Sequence, residues 1–145
     1  MMEEFPFTAE EWERVRQAGE RGLNATLQDD DVLSASCFCD LQDVLTELRE
    51  IYGNHPILIE TEADFTDDPH VQQRLYEEAL SIAEHERLPT YTIRLSLAGT
   101  LIERFQAADL ARDQLLACRS EVEHLGDEYE LQQWQELMAK CQSAI

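Results

Sequence analysis

The chain has 145 residues, of which 43% are hydrophobic, so it is long enough and apolar enough to form one domain with a substantial core. Its 31 acidic and 11 basic residues give a formal net charge of −20. This charge argues against binding to nucleic acids or to anionic membrane surfaces, because both need a basic surface on the protein. Five glycines and four prolines are too few for the frequent turns of a β-sandwich or barrel, so the composition favours long helices.

The first helical hairpin is predicted at about residues 8–52. Its first helix begins with the capping box Thr8-Ala9-Glu10-Glu11, and Phe7 and Trp12 occupy the two positions of a hydrophobic staple. Asp29-Asp30-Asp31 ends this helix and caps the next one. Apolar residues at spacings of three and four predict the buried faces, which are Trp12, Val15, Gly19, Leu23 and Leu27 in the first helix and Leu33, Cys37, Leu41, Val44, Leu48 and Ile51 in the second.

The first helix contains two glycines in its interior, Gly19 and Gly22. Each costs roughly 1 kcal/mol relative to alanine, because glycine loses more backbone freedom when it enters a helix. We expect a close approach of another helix at Gly19 and a local weak point in the helix at Gly22.

The second hairpin is predicted at about residues 55–87. Pro56 begins a short helix that extends to about residue 65, although the β-branched content of residues 57–59 would also suit a short strand. We prefer the helix, because the neighbouring segments are helical and no partner strand is visible. Asp68 and Pro69 are a strong start signal for the next helix, since a carboxylate caps well and proline suits the first helical position.

The third hairpin is predicted at about residues 90–125, followed by a C-terminal capping helix at about 127–144. The helix after Pro89 is apolar nearly all round, which places it in the middle of the fold. A second capping box, Asp127 to Glu130, begins the last helix. The predicted buried faces of the last two helices are Ala111, Leu115, Cys118, Val122 and Leu125, and then Leu131, Trp134, Met138, Cys141 and Ile145.

The chain contains an internal repeat that resembles the tetratricopeptide pattern. Gln72-x3-Tyr76-x2-Ala79 corresponds, 39 residues later, to Ala111-x3-Leu115-x2-Cys118, with the large–small pair Leu97-Ala98 between them. The resemblance covers about residues 54–125, lacks the tryptophan near the repeat start and has a longer period than the usual ~34 residues. It implies an all-α, right-handed solenoid of about seven helices, in one domain over 1–145, that binds a protein or peptide on its concave side.

The candidate metal ligands have simpler structural explanations. Cys37 and Cys39 are separated by ~200° around a helix, so both thiols cannot face one metal ion. We expect Cys37 in the core and Cys39 partly exposed. Capping and loop solvation account for the cluster of Asp64, Asp67, Asp68 and His70. No pattern typical of a catalytic or cofactor site is present, so we predict a protein without enzymatic activity, metal or cofactor.

The acidic residues are concentrated in the first two hairpins. The net charge is −9 over residues 1–53, −7 over 54–89, −1 over 90–125 and −3 over 126–145. This half is either a docking face for a basic partner or only a solvated surface. The predicted partner-binding residues are Glu60, Glu62, Asp64, Asp67 and Asp68.

The expected function is therefore the binding of a protein or peptide partner, basic in one version of the hypothesis. The alternatives are an acidic immunity protein or secretion chaperone for a basic partner, and a self-assembling structural subunit that uses exposed apolar residues of the first or last helix. The acidic N-terminal sequence does not resemble a signal peptide, and the cysteines suit a reducing compartment, so we expect a cytoplasmic protein.

Overall fold

The computed structural model describes residues 2–144, so the predicted burial of Ile145 lies outside the described part of the chain. Within that part the protein is all-helical and has no strand, which confirms the predicted all-α class. There are eight helices: α1 (Ala9–Leu27), α2 (Asp31–Tyr52), α3 (Pro56–Asp64), α4 (Pro69–His85), α5 (Tyr91–Phe105), α6 (Ala108–Ala117), α7 (Arg119–Leu125) and α8 (Glu128–Ala144).

The predicted number of seven helices is wrong, because the sixth divides at Cys118 into α6 and α7. The last turn of α6 is tight, since the Cys118 amide donates to the carbonyl of Leu115 at 3.3 Å. The indole Nε1 of Trp134 in α8 donates to the same carbonyl at 2.7 Å. Neither proline nor glycine stands at the break, and the apolar spacing continues through it. The sequence therefore gives no sign of the interruption.

The predicted capping boxes are confirmed. The Thr8 amide donates to Glu11 Oε1 at 2.8 Å, and the Glu11 amide donates to Thr8 Oγ1 at 3.1 Å. At α8 the Asp127 amide donates to Glu130 Oε1 at 3.1 Å, and the Glu130 amide donates to Asp127 Oδ1 at 2.8 Å. These reciprocal bonds satisfy amides that have no partner inside the helix, so both helices begin where the sequence predicts.

The segment that also suited a strand is the helix α3. Pro56 is its first residue, and Nδ1 of His55 accepts a hydrogen bond from the amide of Ile57 at 3.1 Å. The His55 ring is buried, and its Nε2 lies 2.8 Å from the carbonyl oxygen of Glu3. The same residue therefore caps α3 and holds the N-terminal segment against it.

The helices pack in consecutive pairs, α1 with α2, α3 with α4 and α5 with α6, and α8 packs mainly on α6. The short links make the two helices of each pair antiparallel. As predicted, α5 lies in the middle, in contact with α4, α6, α7 and α8. Helix α3 joins two hydrophobic cores, because Leu58 packs into the core of the first hairpin while Ile59 and Ala63 belong to the larger C-terminal core.

The buried face of α1 differs from the prediction. Its buried residues are small: Val15, Ala18, Gly19, Gly22 and Ala25. The prediction was wrong for Leu23 and Leu27, which are 52% and 82% exposed, because no other element covers that part of the hairpin. The predicted core residues Leu33, Ile51 and Leu125 are also exposed.

Both glycines of α1 make room for phenylalanine rings. A Cβ atom on Gly19 would lie 2.7 Å from the Phe65 ring, so the close neighbour at this position is a side chain and not the backbone of another helix. A Cβ atom on Gly22 would lie 2.5 Å from the Phe38 ring. Gly22 is therefore a packing position, and the expectation of a weak point there was wrong.

Candidate functional site

Two acidic residues of α3, Glu60 and Asp64, lie one helical turn apart on the same face. The Thr92 hydroxyl donates to Glu60 Oε1 at 3.3 Å, and the Tyr76 hydroxyl donates to Asp64 Oδ1 at 2.5 Å. Neither carboxylate forms an ion pair with any residue between 2 and 144. The two side chains, called the acid pair below, thus share a surface that supplies hydrogen-bond donors but no counter-charge.

The environment of the acid pair disfavours its charged form. Burial, followed by the charge of Asp64, raises the pKa of Glu60 to about 7, while the Thr92 hydrogen bond acts in the opposite direction. Burial also raises the pKa of Asp64, against the effect of the Tyr76 hydrogen bond. Burial and the charge of Asp64 raise the pKa of Tyr76 far above its ordinary value, so its hydroxyl stays protonated and remains a donor.

A groove runs along α5 beside the acid pair. Four residues at spacings of four, three and four form one face of α5: Thr92, Ser96, Gly99 and Glu103. We call this surface the α5 groove. A Cβ atom built on Gly99 would have no neighbour within 4 Å, so the helix backbone itself is the floor at the centre.

Two cavities lie along the α5 groove. A cavity of about 330 Å³ is lined by Glu60 and Thr92 at the N-terminal end of α5. A second cavity of about 410 Å³ lies between α4, α5 and α8, and Tyr76 and Gly99 line it. Glu60 lines the first cavity, and Asp64, which lines neither, is connected to the second through its hydrogen bond with Tyr76.

The far end of the α5 groove is electrostatically different from the acid pair. Lys140 Nζ of α8 lies 3.9 Å from Glu103 Oε1, and Arg104 also lines the second cavity. The Thr100 hydroxyl donates to Gln72 Oε1 at 3.2 Å. Opposite charges and neutral polar groups therefore line this end, and the uncompensated negative charge is confined to the α3 end.

The five predicted partner-binding residues do not form one face. Glu62 is turned away from Glu60 and forms an ion pair with Arg49 of α2. Asp67 is exposed in the α3–α4 link, where its backbone carbonyl accepts from Arg104 Nη2 at 3.2 Å. Asp68 caps α4, since its Oδ1 accepts from the His70 amide at 2.9 Å and from the Val71 amide at 3.4 Å. Only Glu60 and Asp64 are brought together beside the α5 groove.

The sequence reasoning missed the residues of α5 and α4 that complete this site. Thr92, Ser96 and Gly99 interrupt the apolar surface of α5 at helical spacing, and that interruption was a usable signal. In the sequence Tyr76 stands out only as a member of the repeat, because its hydrogen bond to Asp64 depends on how α4 packs against α3.

The cysteines have the predicted locations, with Cys37 buried and Cys39 exposed. Burial raises the pKa of the Cys118 thiol to about 11 and also raises that of Cys141, so both thiols stay protonated near neutral pH. Between residues 2 and 144 there is no group of three or more His, Cys, Asp or Glu side chains suited to hold a metal ion.

No helix in the described part of the chain is long and apolar enough to cross a membrane. Comparisons of the chain with protein-family models, with curated proteins and with solved structures find no match.

Proposed function

We propose that the protein is a non-enzymatic binding module of tetratricopeptide-like type, which holds a segment of a partner protein or a peptide in the α5 groove. The consecutive packing of three hairpins, with α8 against the last, supports this assignment. In such stacks the first helices of successive pairs line a shared concave surface. We assign α3, α5 and α8 to that surface.

The observation that carries the proposal is the acid pair without a counter-charge beside an open groove. Two carboxylates one turn apart repel each other, and partial burial weakens the hydration of Glu60, whereas Asp64 is exposed. A lysine or arginine side chain of a ligand would supply the missing charge and further donors. The bare backbone at Gly99 leaves room for the ligand to approach closely.

The chemistry of the α5 groove favours binding over catalysis. The Tyr76 hydroxyl is held protonated and is committed to Asp64, so it does not supply a reactive phenolate. A role in neutralising a basic protein, as an immunity protein or a secretion chaperone does, is a narrower form of the same proposal, because it would use the same acid pair.

A peptide selection tests the proposal and does not require the partner to be identified first. A library of random peptides of about twelve residues is selected in parallel on the wild-type protein and on Gly99→Leu, whose side chain fills the centre of the α5 groove. Gly99→Ala is the matched control, because a methyl group meets no atom within 4 Å. We expect recovered peptides to be rich in lysine and arginine, to bind Gly99→Ala normally and to bind Gly99→Leu weakly.

The role of the acid pair is measured with one recovered peptide. Glu60→Gln keeps the shape and the acceptor for Thr92 but removes the charge, so affinity should fall about tenfold and depend less on salt. Glu77→Gln removes a charge from the exposed surface of α4 and should leave affinity unchanged. Equal recovery of peptides on the wild type and on Gly99→Leu would show that the α5 groove is not the binding site.

A further inference from the structure

The two helices of the first hairpin are much longer than α3, the helix that follows them. Helices α1 and α2 have 19 and 22 residues, or about 28 and 33 Å, whereas α3 has nine residues, or about 14 Å. We call residues 20–38, at the tip of this hairpin, the overhang. It exposes four aliphatic side chains, of which Leu27 and Val32 are 82% and 84% exposed, and the others are Leu23 and Leu33.

A notch lies between the overhang and the α3–α4 link. Its volume is about 440 Å³, which is within the range of ligand pockets in proteins. The apolar part of its lining consists of Leu23, Ala35, Phe38 and Phe65. The rings of Phe38 and Phe65 lie 5.8 Å apart, and the two glycines of α1 allow them to sit deep against that helix.

The charged side chains that line the notch are all carboxylates: Asp31, Asp64 and Asp67. No basic residue between 2 and 144 lines it. The notch thus combines an apolar lining with a rim of one charge. A second copy of the chain is a poor occupant, because two molecules of charge −20 would bring their acidic first hairpins together.

We propose that the notch is a second docking site, separate from the α5 groove, for a basic amphipathic segment of a partner protein. The apolar side chains of the segment pack against Leu23, Phe38 and Phe65. Its lysine or arginine side chains face Asp31 and Asp67, which are exposed and can pair with them without a burial cost. Asp64 is the one carboxylate common to both sites.

The test uses three synthetic peptides of equal length: a lysine–leucine amphipathic peptide, its lysine–serine analogue and its glutamate–leucine analogue. Binding is followed by fluorescence anisotropy against the wild type, Ala35→Trp and Leu23→Lys. Ala35 is exposed, so tryptophan there fills the notch without disturbing the core, and far-UV circular dichroism checks the fold. Leu23→Lys blocks the notch in a different way, because it places a positive charge inside it.

We expect the lysine–leucine peptide to bind the wild type and to bind each of the two variants about tenfold or more weakly, since the tryptophan of Ala35→Trp occupies the space of the notch and the lysine of Leu23→Lys replaces an apolar contact with a positive charge. Its serine analogue should bind at least about tenfold more weakly, and the glutamate analogue should not bind. Removing two rim charges, in Asp31→Asn with Asp67→Asn, should reduce the salt dependence of binding.

Three results would overturn the proposal. Equal binding of the lysine–leucine and lysine–serine peptides would mean that charge alone attracts them. Unchanged binding to Ala35→Trp and Leu23→Lys, with loss in Gly99→Leu, would place the peptide in the α5 groove and would support the proposed function instead. A wild-type dimer in sedimentation that becomes a monomer in Ala35→Trp would identify a second copy as the occupant.

Discussion

The substitution Glu60→Gln should stabilise the folded protein at high pH and have almost no effect at low pH. The pKa of Glu60 is about 7 in the folded protein, against an ordinary value of 4.5. Because the folded-state pKa is the higher one, the stabilising contribution of the protonated carboxyl is complete below about pH 4.5. It is lost as the pH rises through 7.

The magnitude follows from the difference between these two pKa values. At about 1.36 kcal/mol for each tenfold change in proton affinity, the ionised Glu60 side chain costs at most about 3 kcal/mol at pH 8. Partial exposure and relaxation of the neighbouring groups reduce this value, so we expect a gain of about 1–3 kcal/mol for Glu60→Gln. Glutamine keeps the oxygen that accepts from Thr92, so packing is nearly unchanged.

The assay is urea denaturation of the wild type and the variant at about pH 4 and pH 8, followed by far-UV circular dichroism. Two controls separate the local effect from the general one. Glu77→Gln removes an exposed charge and should change the free energy of unfolding by less than about 0.5 kcal/mol. Glu62→Gln breaks the partly buried ion pair with Arg49 and should destabilise the protein at pH 8 by about 1–3 kcal/mol.

Glu60→Gln should raise the free energy of unfolding at pH 8, whereas Glu62→Gln should lower it. Because the two residues lie two positions apart on one short helix, the comparison is sensitive to their local partners. If Glu60→Gln raised the free energy of unfolding equally at both pH values, the increase would not come from the ionisation of Glu60. A loss of stability at pH 8 would mean that Glu60 already has a favourable partner in the folded protein. Either outcome would refute the description of the acid pair as uncompensated.

Three further predictions concern packing. Trp134→Ala should cost about 3–5 kcal/mol in denaturant melts, because Trp134 packs against the C-terminal core and bonds to the Leu115 carbonyl of α6. Trp134→Phe should cost about 1–2 kcal/mol through loss of that bond alone. A loss below about 1 kcal/mol for alanine would mean that α8 does not act as a cap. Gly99→Ala should raise the free energy of unfolding by about 0.5–1 kcal/mol, since alanine favours the helix and its methyl group meets no atom; destabilisation would contradict the open groove. Gly22→Ala should lower the free energy of unfolding by about 1 kcal/mol despite the same propensity gain, because the methyl group collides with Phe38. A thermal melt in which Gly22→Ala is as stable as Gly99→Ala would show that the Phe38 ring moves freely.

Local signals in the sequence predicted the helix starts well. Both partners of the capping box at Thr8 and Glu11 lie within three residues, so no distant contact decides whether it forms. The same holds for Asp68 and Pro69 at the start of α4. The break at Cys118 was not predictable in this way, because the Trp134 side chain that bonds to the neighbouring turn comes from another helix.

Periodicity identified apolar faces but not their coverage. Leu23 and Leu27 have the spacing of buried residues, yet both are exposed, because burial depends on whether another element lies over them. Helix α3 ends after nine residues and covers only part of the first hairpin. The overhang and the notch exist because α3 is shorter than α1 and α2, so they depend on how long the helices are and where they lie.

The sequence by itself determined the all-helical class, most helix boundaries and the negative charge. These features depend on residues within a few positions of each other or on composition alone. Only the tertiary structure decided which carboxylates are left without a counter-charge. Glu62 meets Arg49 of α2, whereas Glu60 meets Thr92, 32 residues away in sequence, and no cation. Such contacts depend on how separate helices pack, and burial and pKa depend on that packing in turn.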